Sequence, residues 1–170
     1  AVNFLASYFA FGTVAASSAI SATGTITSTA NYDNGDTITV GGVTYTFTSP
    51  FVNAANNVAV GSTEVLSMQN LVDSVNLNNP TLAGIEFGTG TVVNHNVTAG
   101  TDSQHVLTFT AVASGPSGNA IALSQTSDSA TASGATLVGG TDSVDNTTYA
   151  QQGFTVDFGS ANFAQRWLGF

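Results

Sequence analysis

The side chains best suited to chemistry are few in this chain of 170 residues. It has ten carboxylates, two histidines and a single Lys or Arg side chain, which is Arg166. It has no cysteine, so disulfides, thiolate metal sites and cysteine nucleophiles are excluded. A phosphate-binding P-loop needs a lysine, and no G-x-S-x-G nucleophile motif is present. We therefore expect no catalytic residues, no cofactor and no enzymatic activity.

The two histidines, His95 and His105, are the residues that would first suggest a metal site. They fall on predicted strands over residues 91–97 and 105–111, and two strand residues could approach each other. A zinc site needs further ligands of suitable type and a closed geometry. No H-x-x-x-H pair is present, so we expect surface or interface histidines.

Oxygen ligands are concentrated in the Asp-Asn-Gly-Asp turn over residues 33–36. Asp33 and Asp36 are the calcium candidates, although calcium takes about six to eight oxygens and these residues also form turns. We expect the turn role, and no bound metal. Asn96 and Asn146 begin Asn-x-Thr sequons, which matter only where a glycosylation system is present.

The composition limits the partners of the chain. Charged residues make up 6% of it and the net charge is −9, whereas an ordinary soluble domain has roughly 25% charged residues. An acidic chain without lysine is unsuited to nucleic acid or to anionic lipid. A charge-poor surface suits a secreted or particle-bound monomer, or a surface buried against copies of the same chain. We favour burial, because interface cores are depleted of charge.

Residues 36–47 predict a β-hairpin around which the rest of the chain is organised. Gly41-Gly42 suits a two-residue type I′ turn, which places Val40 opposite Val43 and pairs residues 38 and 45. The apolar side chains then share one face with Phe47, and the threonines take the other. An isolated hairpin is marginal in water, so this face needs a cover.

The cover is predicted at residues 63–76, where apolar residues recur at intervals of three or four. Ser62 or Thr63 can cap this helix, and Glu64 lies in its first turn. Further strands are predicted at 24–30, 82–87, 91–97, 105–111, 120–125, 135–138 and 154–158, with loops at 51–61 and 126–134. The expected fold is mainly β (α+β): an antiparallel sheet or sandwich with one covering amphipathic helix and apolar terminal arms.

Both ends of the chain are rich in aromatic residues. We expect an N-terminal arm (1–22), a β-rich core module (23–142) and a C-terminal strand with an aromatic tail (143–170). An arm can pack on its own domain or dock on a neighbouring subunit, for example by strand addition. A membrane or signal remnant is a third possibility, although the segment is too short and too rich in Ser and Thr for a span. The predicted subunit-interface residues are Phe4, Leu5, Tyr8, Phe9, Phe11, Phe163, Trp167, Leu168 and Phe170.

Four stretches in order resemble a module of tailed-phage virion proteins and of bacterial surface and appendage proteins. The first is 35–48 (Gly-Asp-Thr-Ile-Thr-Val-Gly-Gly-Val-Thr-Tyr-Thr-Phe-Thr), followed by the helix 63–76. The others are 107–123 (Leu-Thr-Phe-Thr-Ala-Val-Ala-Ser-Gly-Pro-Ser-Gly-Asn-Ala-Ile-Ala-Leu) and 135–142 (Ala-Thr-Leu-Val-Gly-Gly-Thr-Asp). They also resemble, less closely, the hook-type insert of flagellins. The resemblance covers about residues 24–142 and implies a structural or display role.

Two functions remain open at this stage. The first is a structural subunit that self-assembles into an extracellular filament or a virion assembly by packing apolar arms on neighbouring copies. The alternative is a monomeric adhesin or glycan-binding surface module. In both cases we expect a location outside the cell or in a virion, and no membrane span in the mature chain.

Overall fold

The computed structural model describes residues 17–102 and 105–144. The chain divides into two compact units, one over Ser18–Ser143 and one that combines Ala1–Ser17 with Val144–Phe170. All nine predicted subunit-interface residues lie outside the described residues, as do Asn146 and the predicted strand 154–158.

The described residues are mainly β, as the sequence predicts. Strands β5, β6, β1 and β8 form one four-stranded sheet in that order, and β4, β3, β2 and β7 form the other. All strand pairs are antiparallel except β3 with β4. The strands are β1 (Ser21–Ser28), β2 (Thr37–Val40), β3 (Val43–Thr48), β4 (Asn57–Ala59), β5 (Val97–Thr101), β6 (Val106–Ser114), β7 (Leu123–Gln125) and β8 (Ala130–Ala132). Helix α1 spans Glu64–Asn76, and short 3-10 helices occupy Pro80–Leu82 and Pro116–Ala120.

The hairpin β2–β3 has the predicted register. Val40 pairs with Val43 and Ile38 with Tyr45, and both glycines of the turn have positive φ (60° and 83°). A left-handed conformation at both central positions is what a type I′ turn requires. Ile38, Val40, Tyr45 and Phe47 are fully buried, so this face is the part of the hairpin that the rest of the module covers.

Helix α1 has the predicted position. Thr63 caps it by accepting a hydrogen bond from the Leu66 N–H (3.3 Å), and Leu77 ends it in the left-handed region. Its nearest strands are β5 and β4. Its buried face joins the buried residues of both sheets in one hydrophobic core, so it closes the core that includes the hairpin face. The buried helix residues in that core are Met68, Leu71, Val72 and Val75.

The segment after the helix differs from the prediction. Residues 82–87 and 91–96 are not strands: a 3-10 helix occupies Pro80–Leu82, Phe87 makes only isolated pairings, and β5 starts at Val97. Between the two predicted strands, the backbone of Gly88 packs closely on residue 54, because an added Cβ would lie 1.6 Å from the carbonyl oxygen of Ala54. Only glycine fits such a contact.

Three other predicted segments are also wrong. Strand β4 lies inside the predicted loop 51–61, and β8 inside the predicted loop 126–134. Residues 135–138 form no strand and instead make isolated pairings, Thr136 with Ala122 and Val138 with Thr23. This segment passes from one sheet to the other, since β7 and β1 belong to different sheets. A crossing segment cannot make a continuous ladder with either sheet.

The outer edges of three strands are partnered by other parts of the module. The side chain of Asn76 both donates to the Ala99 carbonyl (2.7 Å) and accepts from its N–H (2.9 Å) on β5. Residues 86–88 bond to β4, and the Ala135 carbonyl accepts from Leu123 of β7. The unpaired backbone groups of an edge strand can hydrogen-bond to another chain. These contacts occupy those groups at the positions named.

Candidate functional site

The two histidines are not on strands and are not close together. His95 lies in the loop before β5, whereas His105 lies directly before β6, so they occupy opposite ends of the β5–β6 hairpin. His105 has positive φ (68°) and its Nδ1 contacts Oε1 of Glu64 in the first turn of α1. Within residues 17–102 and 105–144, no group of three or more metal-ligating side chains is found.

The calcium candidates serve to close the turn before β2. Oδ2 of Asp36 accepts from the Asp33 N–H (2.9 Å), and the Asp36 N–H donates to the Asp33 carbonyl (3.1 Å). Asn34, between them, accepts from the N–H of Ser49 (3.0 Å). These bonds account for the Asp-Asn-Gly-Asp sequence as turn chemistry.

The sequon residue Asn96 supports the glycine turn of the first hairpin. Its Nδ2 donates to the Gly41 carbonyl (2.8 Å), and its N–H donates to Oδ1 of Asn94 (3.0 Å). Asn94 is buried and donates in turn to the Val40 carbonyl (3.1 Å). The loop before β5 is thereby fixed to the turn of β2–β3.

Two buried tyrosines contribute polar groups to the core. The Tyr32 ring stacks on Phe47 with centroids 4.1 Å apart, and its OH is 2.8 Å from Oγ of Ser28. Burial raises the pKa of Tyr32, the Ser28 hydrogen bond lowers it, and the charges of Asp36 and Glu64 raise it further. Burial likewise raises the pKa of Tyr45, against a lowering hydrogen bond from Asn94. Both phenols hydrogen-bond within the buried interior, Tyr32 with Ser28 and Tyr45 with Asn94, so they act here as structural groups.

A surface groove of about 320 Å³ lies between the end of α1, the loop before β5 and strands β5 and β6. We call it the Asn78 groove. Its described lining residues are Asn76, Asn78, Val93, Asn94, His95, Val97, Thr98 and Val112. The sequence does not predict this groove, because its lining residues come from the end of α1, the loop before β5 and strands β5 and β6, which only the fold brings together.

The two chain ends of the module run side by side. Ile20 and Thr141 exchange two backbone hydrogen bonds (2.9 and 3.1 Å), and Thr23 and Val138 exchange two more (2.8 and 2.9 Å). Ile20 and Val138 are 57% and 61% exposed, so both present apolar surface next to this pairing. In the second unit, Ser17 and Val144 exchange two backbone hydrogen bonds (3.1 and 3.0 Å).

Comparison with known proteins adds no assignment: no protein-family model matches the chain, and no curated protein matches it significantly. Among the described residues, α1 and the short helices are all too short or too polar to cross a membrane.

Proposed function

We propose that this protein is a structural subunit that assembles with copies of itself. In this proposal the aromatic-rich terminal segments pack on neighbouring subunits, and the product is an extracellular appendage or a tail or capsid-associated part of a virion. The module Ser18–Ser143 is then the rigid body that the terminal segments connect.

The observation that carries the proposal is the pairing of the two chain ends. Because Ile20 pairs with Thr141, and Ser17 with Val144, the two terminal sequences begin from neighbouring positions. Those sequences hold Phe4, Tyr8 and Phe9 at one end and Trp167 and Phe170 at the other. Large aromatic side chains dominate the energetics of protein interfaces, so we assign the contacts between copies to these two sequences.

The surface composition supports the same conclusion. The chain has one Lys or Arg side chain in 170 residues, and charge depletion is typical of interface cores. Within the module, Ile20 and Val138 are exposed and present apolar surface beside the pairing of Ile20 with Thr141. The outer edges of β4, β5 and β7 are partnered within the module at the positions described above. We therefore assign the contact to terminal side chains, not to strand addition at those edges.

The test compares the full chain with variants of each terminus. One variant carries Phe4→Ser, Tyr8→Ser and Phe9→Ser, and the other carries Trp167→Ser and Phe170→Ser. The matched control is Val52→Ser, which changes a 54% exposed valine inside the module. Negative-stain microscopy and sedimentation velocity report the assembly, and circular dichroism reports the fold.

We expect the unchanged chain and the control to form large, regular assemblies, and the terminal variants to remain folded as monomers. Terminal variants that assemble as the unchanged chain does would refute the role of the arms. An unchanged chain that stays monomeric at all accessible concentrations would refute self-assembly itself.

A further inference from the structure

We infer that the Asn78 groove is a binding site for a neutral saccharide. Its volume of about 320 Å³ lies at the lower end of the range of small-molecule sites, which is about 300 to 1,000 Å³. The inference concerns the module alone and does not depend on self-assembly.

The polar groups of the groove divide into two sets. Asn76 and Asn94 are committed to the fold, since their amides bond to Ala99 of β5 and to Val40 of β2. Asn78, His95 and Thr98 are exposed, and none of them makes a side-chain hydrogen bond within residues 17–102 and 105–144. An amide, an imidazole and a hydroxyl thus converge on one groove with donors and acceptors unused.

The apolar part of the groove consists of valines. Val97 is buried at the start of β5, whereas Val93 and Val112 are 36% and 56% exposed. Exposed apolar side chains beside unused hydrogen-bonding groups match a ligand that is amphipathic over a short distance. A pyranose ring is such a ligand, because its hydroxyls lie at the rim and its C–H groups form apolar patches.

The charge of the groove argues against other small ligands. None of its described lining residues is a carboxylate, an ammonium or a guanidinium. A phosphate, a carboxylate ligand or an organic cation would lose its hydration without gaining an opposite charge. A neutral ligand avoids this penalty.

The walls of the groove are held in place before any ligand binds. Asn76 fixes the end of α1 to β5, the Asn94 N–H donates to the Val75 carbonyl (2.9 Å), and the Val112 N–H donates to the Asn96 carbonyl (3.0 Å). A site that needs little ordering on binding retains more of its contact energy as affinity.

The experiment measures saturation-transfer difference NMR on the full chain with a panel of methyl glycosides. The panel holds methyl glucoside, galactoside, mannoside and N-acetylglucosaminide at millimolar concentration. The method observes the protons of the ligand, so it works whether the chain is monomeric or assembled. The two groove variants are Thr98→Val and the double change Asn78→Ala with His95→Ala.

The matched control for Thr98→Val is Thr131→Val. Both threonines are exposed strand residues without a side-chain hydrogen bond in the described ranges, and they lie on opposite edges of the same sheet, on β5 and β8. Both substitutions remove one hydroxyl and keep the shape of the side chain. Circular dichroism of every variant checks that the fold is retained.

We expect at least one glycoside to give a saturable signal, with an affinity about fivefold lower in Thr98→Val and unchanged in Thr131→Val. The double variant is expected to lose the signal. The inference is overturned if no glycoside binds, or if binding is equal in the unchanged chain and in the double variant. It is also overturned if protein concentration alone suppresses the signal, since the groove would then be a contact between copies.

Discussion

The two hairpins β2–β3 and β5–β6 differ in the interactions that stabilise their strands. Both strands of the first lie inside their sheet, and its buried face is made of its own large side chains. In the second, β5 is an edge strand with the sequence Val-Thr-Ala-Gly-Thr, whose only large apolar residue is Val97. Its outer edge is bonded to Asn76 of the helix.

This difference shows two ways in which a strand can be stabilised. The inner hairpin is stabilised by its alternating side chains and by a glycine turn, which are properties of one short stretch. The outer strand depends on β6 on one side and on an asparagine 23 residues earlier on the other. Local patterning identifies the first kind of strand and misses the second.

The largest losses of stability are expected from substitutions in the core that the two hairpins share. Phe47 of β3 and Phe109 of β6 are both fully buried in the same hydrophobic core. Phe47→Ala and Phe109→Ala should each lower the free energy of unfolding by about 3–5 kcal/mol, measured by urea denaturation. A loss below about 1 kcal/mol for Phe109→Ala would show that the second hairpin does not share the core of the first.

Next in size are alanine substitutions in the glycine turn. Gly42 has no neighbouring atom within 4 Å of an added Cβ, whereas at Gly41 that Cβ would lie 3.0 Å from Cβ of Asn96. Gly42→Ala should cost about 1–2 kcal/mol through its positive φ alone. Gly41→Ala should cost roughly 1 kcal/mol more, because it also crowds the loop before β5. Thermal unfolding measures both variants. If both substitutions lower the free energy of unfolding by the same amount, the loop before β5 does not pack against the turn.

A smaller effect is expected at the edge of the outer hairpin. Asn76→Ala leaves the N–H and carbonyl of Ala99 without the partners described above, and should cost about 1–2 kcal/mol. Gln69→Ala is the control on the exposed face of α1. Within residues 17–102 and 105–144, the side chain of Gln69 makes one hydrogen bond, a long one to Asp73 (3.4 Å). If the two variants unfold at the same temperature, Asn76 does not stabilise β5.

An effect of pH in alkaline conditions is expected from Tyr45 of the first hairpin and from its neighbour Tyr32. Burial raises the pKa of Tyr32 and Tyr45 above the ordinary value of 10.0. The folded state therefore holds these protons more tightly, so stability is constant below the ordinary pKa and falls as pH rises above it. Melting temperature should fall between about pH 9 and about pH 11, and fall less in Tyr45→Phe. If the melting temperature falls equally in the unchanged chain and in Tyr45→Phe, Tyr45 does not contribute to the pH dependence.

Much of the fold was predictable, and the errors have a common cause. The turn glycines, the alternation in β2 and β3 and the periodicity of α1 are local signals, and all three elements were predicted. Within the predicted strands 82–87 and 91–97, Phe87 and Val97 are buried, whereas Ile85 and Val92 are 65% and 66% exposed. The apolar character of Ile85 and Val92 therefore does not reflect burial within the described module, and it is a poor guide to strands there.

The Asn78 groove had no sequence signal for a related reason. It is built by asparagines that bond to the backbone of distant strands, as Asn94 does to Val40 and Asn76 to Ala99. Such bonds depend on the folded arrangement, whereas an asparagine in the sequence predicts only a turn or a polar surface.

The most direct test of self-assembly is sedimentation velocity of the unchanged full chain over a wide range of concentration. We predict a species many times the mass of one chain that grows at the expense of monomer as concentration rises. A single boundary with the mass of one chain at every concentration would contradict the account.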